Sequence, residues 1–271
     1  MKPVTIIGAG AVGRSIALAL FYGGVKIDSI YSLHGRTARD LSKKVKARIS
    51  GSRGEISDVA DHVILSVPDG EITSVASTLA QRCGALNRKI ILHTSGALSS
   101  SELLAVKKRG ASVGSFHPMQ TFPRNTRISF KDVWCAIEGD TRALKFAKRL
   151  AKIFHAHTFA ISKEEKVLYH TAGVFASNYL VTLLSVVERI ALESGIPRKN
   201  LWKIYGNIIL RTVENVLVSS PADALTGPIA RGDVETVTRH LEALSTTTLN
   251  HLVPLYSALG IETARLARKK K

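Results

Sequence analysis

The sequence predicts an α/β chain, with a doubly wound parallel-sheet domain over residues 1–160 and an all-α domain over residues 161–271. Three observations carry this reading. A β-branched run, Val4-Thr5-Ile6-Ile7, enters a glycine pattern and leaves it as an apolar-periodic segment. Short apolar runs then alternate with helical stretches as far as Ile161, the order that builds a sheet covered on both faces. From Ser162 onward only helical periodicity remains.

The glycine pattern is Gly8-Ala9-Gly10-Ala11-Val12-Gly13. Between a strand and a helix, Gly-x-Gly-x-x-Gly is the dinucleotide fingerprint of a Rossmann domain. Gly8 permits the tight turn, Gly10 lets the backbone approach a pyrophosphate, and Gly13 lets the helix pack close to the strand. The free N–H groups of the helix N-terminus then hold the phosphates. Isolated glycines would mark only a tight turn; their neighbours select the nucleotide reading. About twenty residues on, where an acid would hold the ribose 2′-hydroxyl of NAD, the chain reads Leu33-His34-Gly35-Arg36-Thr37. It has no carboxylate there. Arg36 with Thr37 can grip a 2′-phosphate through charge-assisted bonds, so the expected cofactor is NADP(H).

In chain order, a second strand is expected over 26–33 and a helix over 37–45. The next strand, from Asp61, runs into Pro68, which cannot donate to a ladder and turns the chain out of the sheet. Val67 and Pro68 then border the path of ribose and pyrophosphate, and Asp69 is placed to cap the following helix. Lys89–His93 is another strand, with Thr94 and Ser95 at its carboxyl end, where open α/β sheets bind ligands. Ser95 is a candidate substrate contact; His93 reads first as a satisfied strand-end residue and only second as a catalytic one. His117 precedes Pro118, which holds it extended and projects its ring past the strand end. Asp132–Glu138, a helix over Thr141–Phe154 and a strand over His157–Ile161 complete the sheet.

The second half opens on Ser162-Lys163-Glu164-Glu165, a capping-box pattern. Residues 167–187 carry no charge, and 21 residues suffice to span a bilayer. His170, Asn178 and several hydroxyl residues are costly in lipid, so a helix buried in a core or a dimer interface fits better. No membrane is expected. Lys166 and His170 stand four residues apart, and Thr171, Val174 and Asn178 continue nearly the same face. Such a polar stripe needs a shared partner, either a substrate or a hydrogen-bond network that orients helices. Pro197 starts a helix to about Val218; Ser220–Asp233 is a dense turn segment presenting Arg231, suited to an anionic substrate or to a plain connection. Helices over Val234–Ser245 and Leu249–Lys269, kinked at Pro254, close the chain.

The formal charge is +17, of which residues 1–160 carry +13 and residues 161–271 carry +4. A basic surface attracts polyanions, but the positive residues are scattered and no nucleic-acid motif is present, so nucleic acid is not the expected partner. Cys83 and Cys135 are too few for a disulfide framework and lack metal-ligand spacing. Lys2 leads straight into the first strand with no cleavage-site pattern, so a cytoplasmic protein without a metal is expected.

Gly8–Gly13, Val67-Pro68-Asp69, His93-Thr94-Ser95-Gly96, Phe116-His117-Pro118-Met119 and Leu225–Asp233 together resemble a family of NADP-dependent oxidoreductases. That family joins a Rossmann domain to a helical domain similar to that of 6-phosphogluconate dehydrogenase. The resemblance covers nearly the whole chain, and Leu-Thr-Gly-Pro-x-x-Arg-Gly-Asp is its most specific part. It implies kinship with ketopantoate, pyrroline-5-carboxylate, hydroxyisobutyrate and prephenate enzymes. It further implies reduction of a small 2-keto acid, ketopantoate first among them. Hydroxy-acid dehydrogenases of this build carry Lys-x-x-x-Asn where this chain has Lys166-x-x-x-His170, with Asn178 two turns later. The catalytic candidates are therefore Lys166, His170 and Asn178; Ser95, His117 and Arg231 are the candidate substrate contacts. A homodimer through the helical domain is expected, because that domain is too small to bury the uncharged helix alone. The rival from another class is an NADPH-binding regulatory module without turnover.

Overall fold

A computed structural model describes residues 1–33, 35–123 and 128–270; His34 and Lys271 lie outside the described residues. The chain divides into two compact units, Met1–Asn178 and Tyr179–Lys271.

The first unit is built on one eight-stranded sheet. Its elements run β1 (Val4–Ile7), α1 (Ala11–Tyr22), β2 (Ile27–Ser32), α2 (Gly35–Val45), β3 (Ile49–Ser52) and β4 (His62–Leu65). Then come α3 (Ile72–Arg82), β5 (Ile90–His93), α4 (Leu104–Lys108), β6 (Ser112–Pro118), β7 (Trp134–Gly139), α5 (Thr141–Phe154) and β8 (His157–Ala160). The strand order is β3-β2-β1-β4-β5-β6-β7-β8, which reverses direction of travel between β1 and β4. This is the doubly wound arrangement, with its crevice at the carboxyl ends beside that reversal.

Successive side chains of a strand face opposite sides, and the core divides accordingly. Ile6, Ile64, Leu92, Phe116 and Ile137 pack with Ile16 and Leu20 of α1, Leu41 of α2, and Phe146 and Leu150 of α5. Ile7, Val63, Leu65, Ile91 and Val113 pack with Ile72, Val75 and Leu79 of α3 and Val106 of α4. Because both faces are covered, β1 and β4 are buried along their whole length and mostly apolar rather than alternating.

Two features of the sheet depart from expectation. β3 reads Ile-Ser-Gly-Ser, too polar to announce a strand, yet it pairs in parallel with β2. β6 and β7 pair antiparallel, while β7 and β8 are parallel across the α5 crossover. The β6–β7 connection has no helix among its described residues, and a parallel neighbour would need such a crossover.

A helical run covers Lys166–Glu193 as α6 (Lys166–Val174), a π turn (Phe175–Tyr179) and α7 (Leu180–Glu193). The expected capping box forms ahead of it: Glu165 N–H donates to Ser162 Oγ at 3.2 Å, and Ser162 N–H donates to the Glu165 carboxylate at 3.2 Å. By length and composition this run could cross a membrane. The boundary between the two compact units falls inside it, at Asn178.

The second unit continues with α8 (Arg198–Val218), α9 (Pro221–Ala224), α10 (Pro228–Arg231), α11 (Val234–Ser245) and α12 (Val253–Ala267). Leu244, Leu249 and Leu252 form its small core with Val186 and Tyr256. Gly227 (φ +100°) and Gly232 (φ +71°) bracket the single turn of α10 in backbone regions that favour glycine. Asp233 then caps α11 by accepting from Thr236 N–H at 3.0 Å. This explains the spacing of the Leu225–Asp233 segment as a connection. Pro254 lies in the first turn of α12, where its missing N–H costs nothing.

Candidate active site

The glycine turn is fitted to its neighbours by backbone distances. Gly8 has φ +107°, and a Cβ there would lie 2.4 Å from the Ser66 carbonyl oxygen. A Cβ on Gly13 would lie 1.9 Å from the Gly8 carbonyl oxygen and 2.2 Å from Ser66 Oγ. Gly10 is different: nothing stands within 4 Å of its Cβ position. Two glycines thus bring helix and strand together, and the third leaves open space at the N-terminus of α1. No acidic residue occupies the first turn of α1, so its positive end is unopposed. Ser66 donates to the Gly8 carbonyl at 2.8 Å and ties the turn to the end of β4. Sequence reasoning missed Ser66; its one signal was a hydroxyl residue between an apolar strand and Val67-Pro68.

The open space continues as a cavity of about 450 Å³ within the first unit. Its lining includes Gly10, Ala11, Val12, Ser66, Val67, Pro68, Asp69, Thr94, Ser95, Gly96, His117 and His170. Residues nominated separately as cofactor and substrate contacts therefore meet at one crevice. Arg36 and Thr37 stand exposed in the first turn of α2, beyond the carboxyl end of β2. The one carboxylate of β2, Asp28, lies at its opposite end and is paired with Arg48 at 3.0 Å. Open space at Gly10, an unopposed helix terminus and arginine in place of an acid fit a dinucleotide carrying a 2′-phosphate.

Contrary to expectation, Asp69 does not cap α3; Glu71 occupies that position. The Asp69 carboxylate instead accepts from Ser95 Oγ at 2.7 Å, and Ser95 Oγ accepts from Leu98 N–H at 3.0 Å. His93 is fully buried, with Nε2 3.0 Å from the Ser99 carbonyl and Nδ1 accepting from Ser95 N–H at 3.2 Å. Those two partners select the neutral Nε2–H tautomer. Burial pushes its pKa down to about 4. His93 is a satisfied strand-end histidine that shapes the loop carrying Ser95.

Lys166 is fully buried beneath that loop and lines neither of the cavities described here. Its ammonium donates to the Ser95 carbonyl at 3.2 Å and to Ser115 Oγ at 3.1 Å. Burial lowers its pKa, while the carboxylates of Glu138 and Asp69 favour its charged form. Glu138, opposite Ser115 across the β6–β7 pairing, accepts from Ser100 N–H at 2.7 Å and Ser100 Oγ at 2.6 Å. The sequence offered no sign of Glu138, an acid in mid-strand.

His117 and His170 converge above Gly96. A Cβ on Gly96 would lie 2.7 Å from His117 Nε2 and 2.5 Å from His170 Nδ1, so glycine gives the two rings their room. The rings are edge to face, with centroids 5.6 Å apart. His117 Nδ1 is 3.0 Å from the Tyr169 hydroxyl. Burial, with His170 and Lys166 nearby, pushes the pKa of His117 down to about 4, so it is neutral at pH 7. Burial raises Tyr169 to about 12, which keeps its hydroxyl protonated.

A second cavity of about 460 Å³ adjoins the first; His117, Gln120, Phe122 and His170 line both. Asn178 and Ser177 line it from the π turn. A π turn holds one residue more than an α turn, which brings position 178 round toward the face of His170. Thr171 departs from the expected stripe: it is exposed and donates to the Val167 carbonyl within its own helix. Arg231 belongs to the second unit, exposed at the end of α10. Gln120 and Tyr169 were also missed, for neither polar residue in a loop or helix stands out without tertiary neighbours. No cluster of three or more metal-ligating side chains occurs among the described residues.

Residues 2–118 match the family model for a Rossmann-like domain, and residues 133–263 match that of a domain of unknown function, DUF2520. Its fold is shared with BF3122 from Bacteroides fragilis, a candidate NADP oxidoreductase, at 24% identity and TM-score 0.82 over 97% of this chain and 98% of that one. Protein TM1727 from Thermotoga maritima is 27% identical, with TM-score 0.74 over 98% and 99% of the two chains. An imine reductase from Myxococcus stipitatus, solved with NADP+, is 14% identical, with TM-score 0.67 over 98% and 93%. No match is found among curated proteins.

Proposed function

We propose that this Rossmann–DUF2520 protein is an NADP-dependent oxidoreductase that reduces a polarised double bond in a small acid. The observation that carries the reading is the crevice where the Gly8–Gly13 turn, the carboxyl ends of β4 and β5, and the His117–His170 pair meet. NADPH, when bound, supplies the hydride. The Gly10–Val12 backbone and the α1 N-terminus hold its phosphates, with Arg36 and Thr37 on the 2′-phosphate. The likeness to BF3122 and to the imine reductase supports the same cofactor.

His117 and His170 stand where the substrate's developing charge needs a proton, and His170 is the proposed donor. Lys166 acts at one remove: it holds the Ser95 carbonyl and Ser115, and so fixes the floor of the crevice. Asn178 faces the second cavity, where the rest of the substrate would lie. Ketopantoate, reduced to pantoate, is the first substrate to test, on the family resemblance; pyrroline-5-carboxylate is the second. We further propose a cytoplasmic homodimer joined through the helical region from residue 161 onward, with the apolar 167–187 run in that interface rather than in lipid. Exposed apolar side chains on α8, among them Ile204, Ile208, Leu217 and Val218, support it.

The test is NADPH oxidation by the purified protein with each acid, beside NADPH binding followed by fluorescence. Turnover on either acid is expected. Tight NADPH binding with no turnover on any 2-keto acid or cyclic imine would favour the regulatory reading instead.

A further inference from the structure

Buried polar atoms are almost always paired, so unpaired ones on residues that line a cavity point to what its ligand must bring. Among the described residues two buried side-chain atoms lack a partner: Gln120 Oε1 and His170 Nδ1. Both residues line both cavities of the candidate active site. The amide of Gln120 has a settled orientation, because its Nε2 donates to the Ser129 carbonyl at 3.2 Å and leaves Oε1 as the open atom. An amide oxygen can only accept. An aromatic wall, Phe122, borders the same junction and offers Oε1 nothing to accept from.

Resting on the oxidoreductase reading, we propose that Gln120 and His170 select a substrate that carries a hydrogen-bond donor, an O–H or N–H, close to the bond being reduced. A bare keto acid brings only acceptors, so it would leave Oε1 buried and unsatisfied. A substrate donor would be accepted by Oε1, while His170 Nδ1 faces the reacting end above Gly96. A site built to bond a substrate donor rejects the analogue without it, because the buried partner is then left open. Two chemistries meet this demand: a hydroxyl two carbons from the carbonyl carbon, and the N–H of a protonated imine. Gln120 is thereby a specificity residue, and sequence position alone gave no hint of it.

The test compares ligands that differ only in the donor. Ketopantoate and 2-oxo-3,3-dimethylbutanoate differ by one hydroxyl, and 1-pyrroline-5-carboxylate supplies the N–H arm. Wild-type kcat/KM is expected to favour ketopantoate over its deoxy analogue by about tenfold or more. Gln120→Leu should bring that ratio near one, chiefly through KM for the hydroxylated acid. Calorimetry without cofactor gives an independent readout: ketopantoate should bind more tightly than 2-oxo-3,3-dimethylbutanoate, and Gln120→Leu should erase the difference. A preference for the cyclic imine, lost in the same variant, assigns the donor as N–H. Equal kcat/KM for the acid pair with no gain for the imine overturns the inference and leaves the oxidoreductase reading standing. So does an equal loss on all ligands in Gln120→Leu, the mark of a structural role. No turnover on any acid overturns the oxidoreductase reading for these substrates; the inference is then decided by the calorimetric pair, equal or absent binding overturning it. Gln120→Asn, which keeps the oxygen but withdraws it by one methylene, should fall between wild type and Gln120→Leu.

Discussion

Helices α5 and α8 solve the burial problem in opposite ways. α5, with 14 residues, buries Ala143, Phe146, Ala147, Leu150, Ala151 and Phe154 along one face against the sheet. α8, with 21 residues, buries Leu201 alone and exposes Trp202, Ile204, Ile208, Leu210, Val213, Leu217 and Val218. The difference extends to the units that hold them. The first unit closes its own core on both faces of a sheet, and its crevice is fitted by backbone distances. The second unit has a core of three buried leucines and much apolar surface left over. A domain that satisfies itself can position atoms for chemistry; one that does not is shaped to be covered. The dimer reading follows from that contrast.

The contrast breaks most violently at Gly13. Gly13→Val would drive side-chain atoms into the Gly8 carbonyl and Ser66, backbone and tether that cannot yield. We expect loss of NADPH binding and a stability loss of about 3 kcal/mol or more, read by fluorescence titration and urea unfolding. Binding within tenfold of wild type would contradict the fitted turn.

Next in size is the histidine pair. His170→Ala should lower kcat by roughly 10²–10⁴-fold and leave NADPH affinity nearly unchanged. Lys166→Met should show itself first in stability, since it removes the charge that Glu138 and Asp69 face and the donor to Ser95. Full activity in both variants would remove both residues from the mechanism.

The closed unit also carries a pH signature. His93 and His117 have pKa values near 4 in the fold, against about 6.5 in an unfolded chain. The unfolded state therefore binds more protons between these values, so their contribution is complete above pH 6.5 and is lost as pH falls toward 4. For His93 alone this is on the order of 3 kcal/mol. Denaturant midpoints should drop across that window, and the drop should shrink in His93→Gln. A flat profile would mean that the imidazoles are not held neutral.

Smaller effects sharpen the comparison at the surface. Arg36→Ala should weaken NADPH by about tenfold and NADH little, since only one carries the 2′-phosphate. Ile208→Glu, on the exposed side of α8, should leave the unfolding midpoint of the isolated chain near wild type and halve the mass seen by light scattering. An unchanged wild-type monomer mass would end the dimer reading.

Much of the first unit was legible because its signals are local. An apolar strand, three glycines and a helix are contiguous, and the roles inferred for Gly8 and Gly13 match their distances. The capping box at Ser162 and the span of α5 were legible for the same reason, since short-range geometry sets them. Features that need a distant partner were not. β3 exists because β2 offers it an edge; Asp69 leaves its helix because Ser95 lies 2.7 Å away. The π turn that brings Asn178 toward the face of His170 left no mark in the residue pattern. Lys166 and His170, four residues apart on one stripe, were indistinguishable in sequence, yet one is locked under a loop and the other opens on the crevice. By itself the sequence determined the Rossmann turn, the alternation of strands and helices apart from β3, and the arginine where an acid would stand, because each depends on neighbours in the chain. Only the tertiary structure decided which polar side chains are spent on the fold and which stay open to a ligand, because that depends on partners up to 71 residues apart.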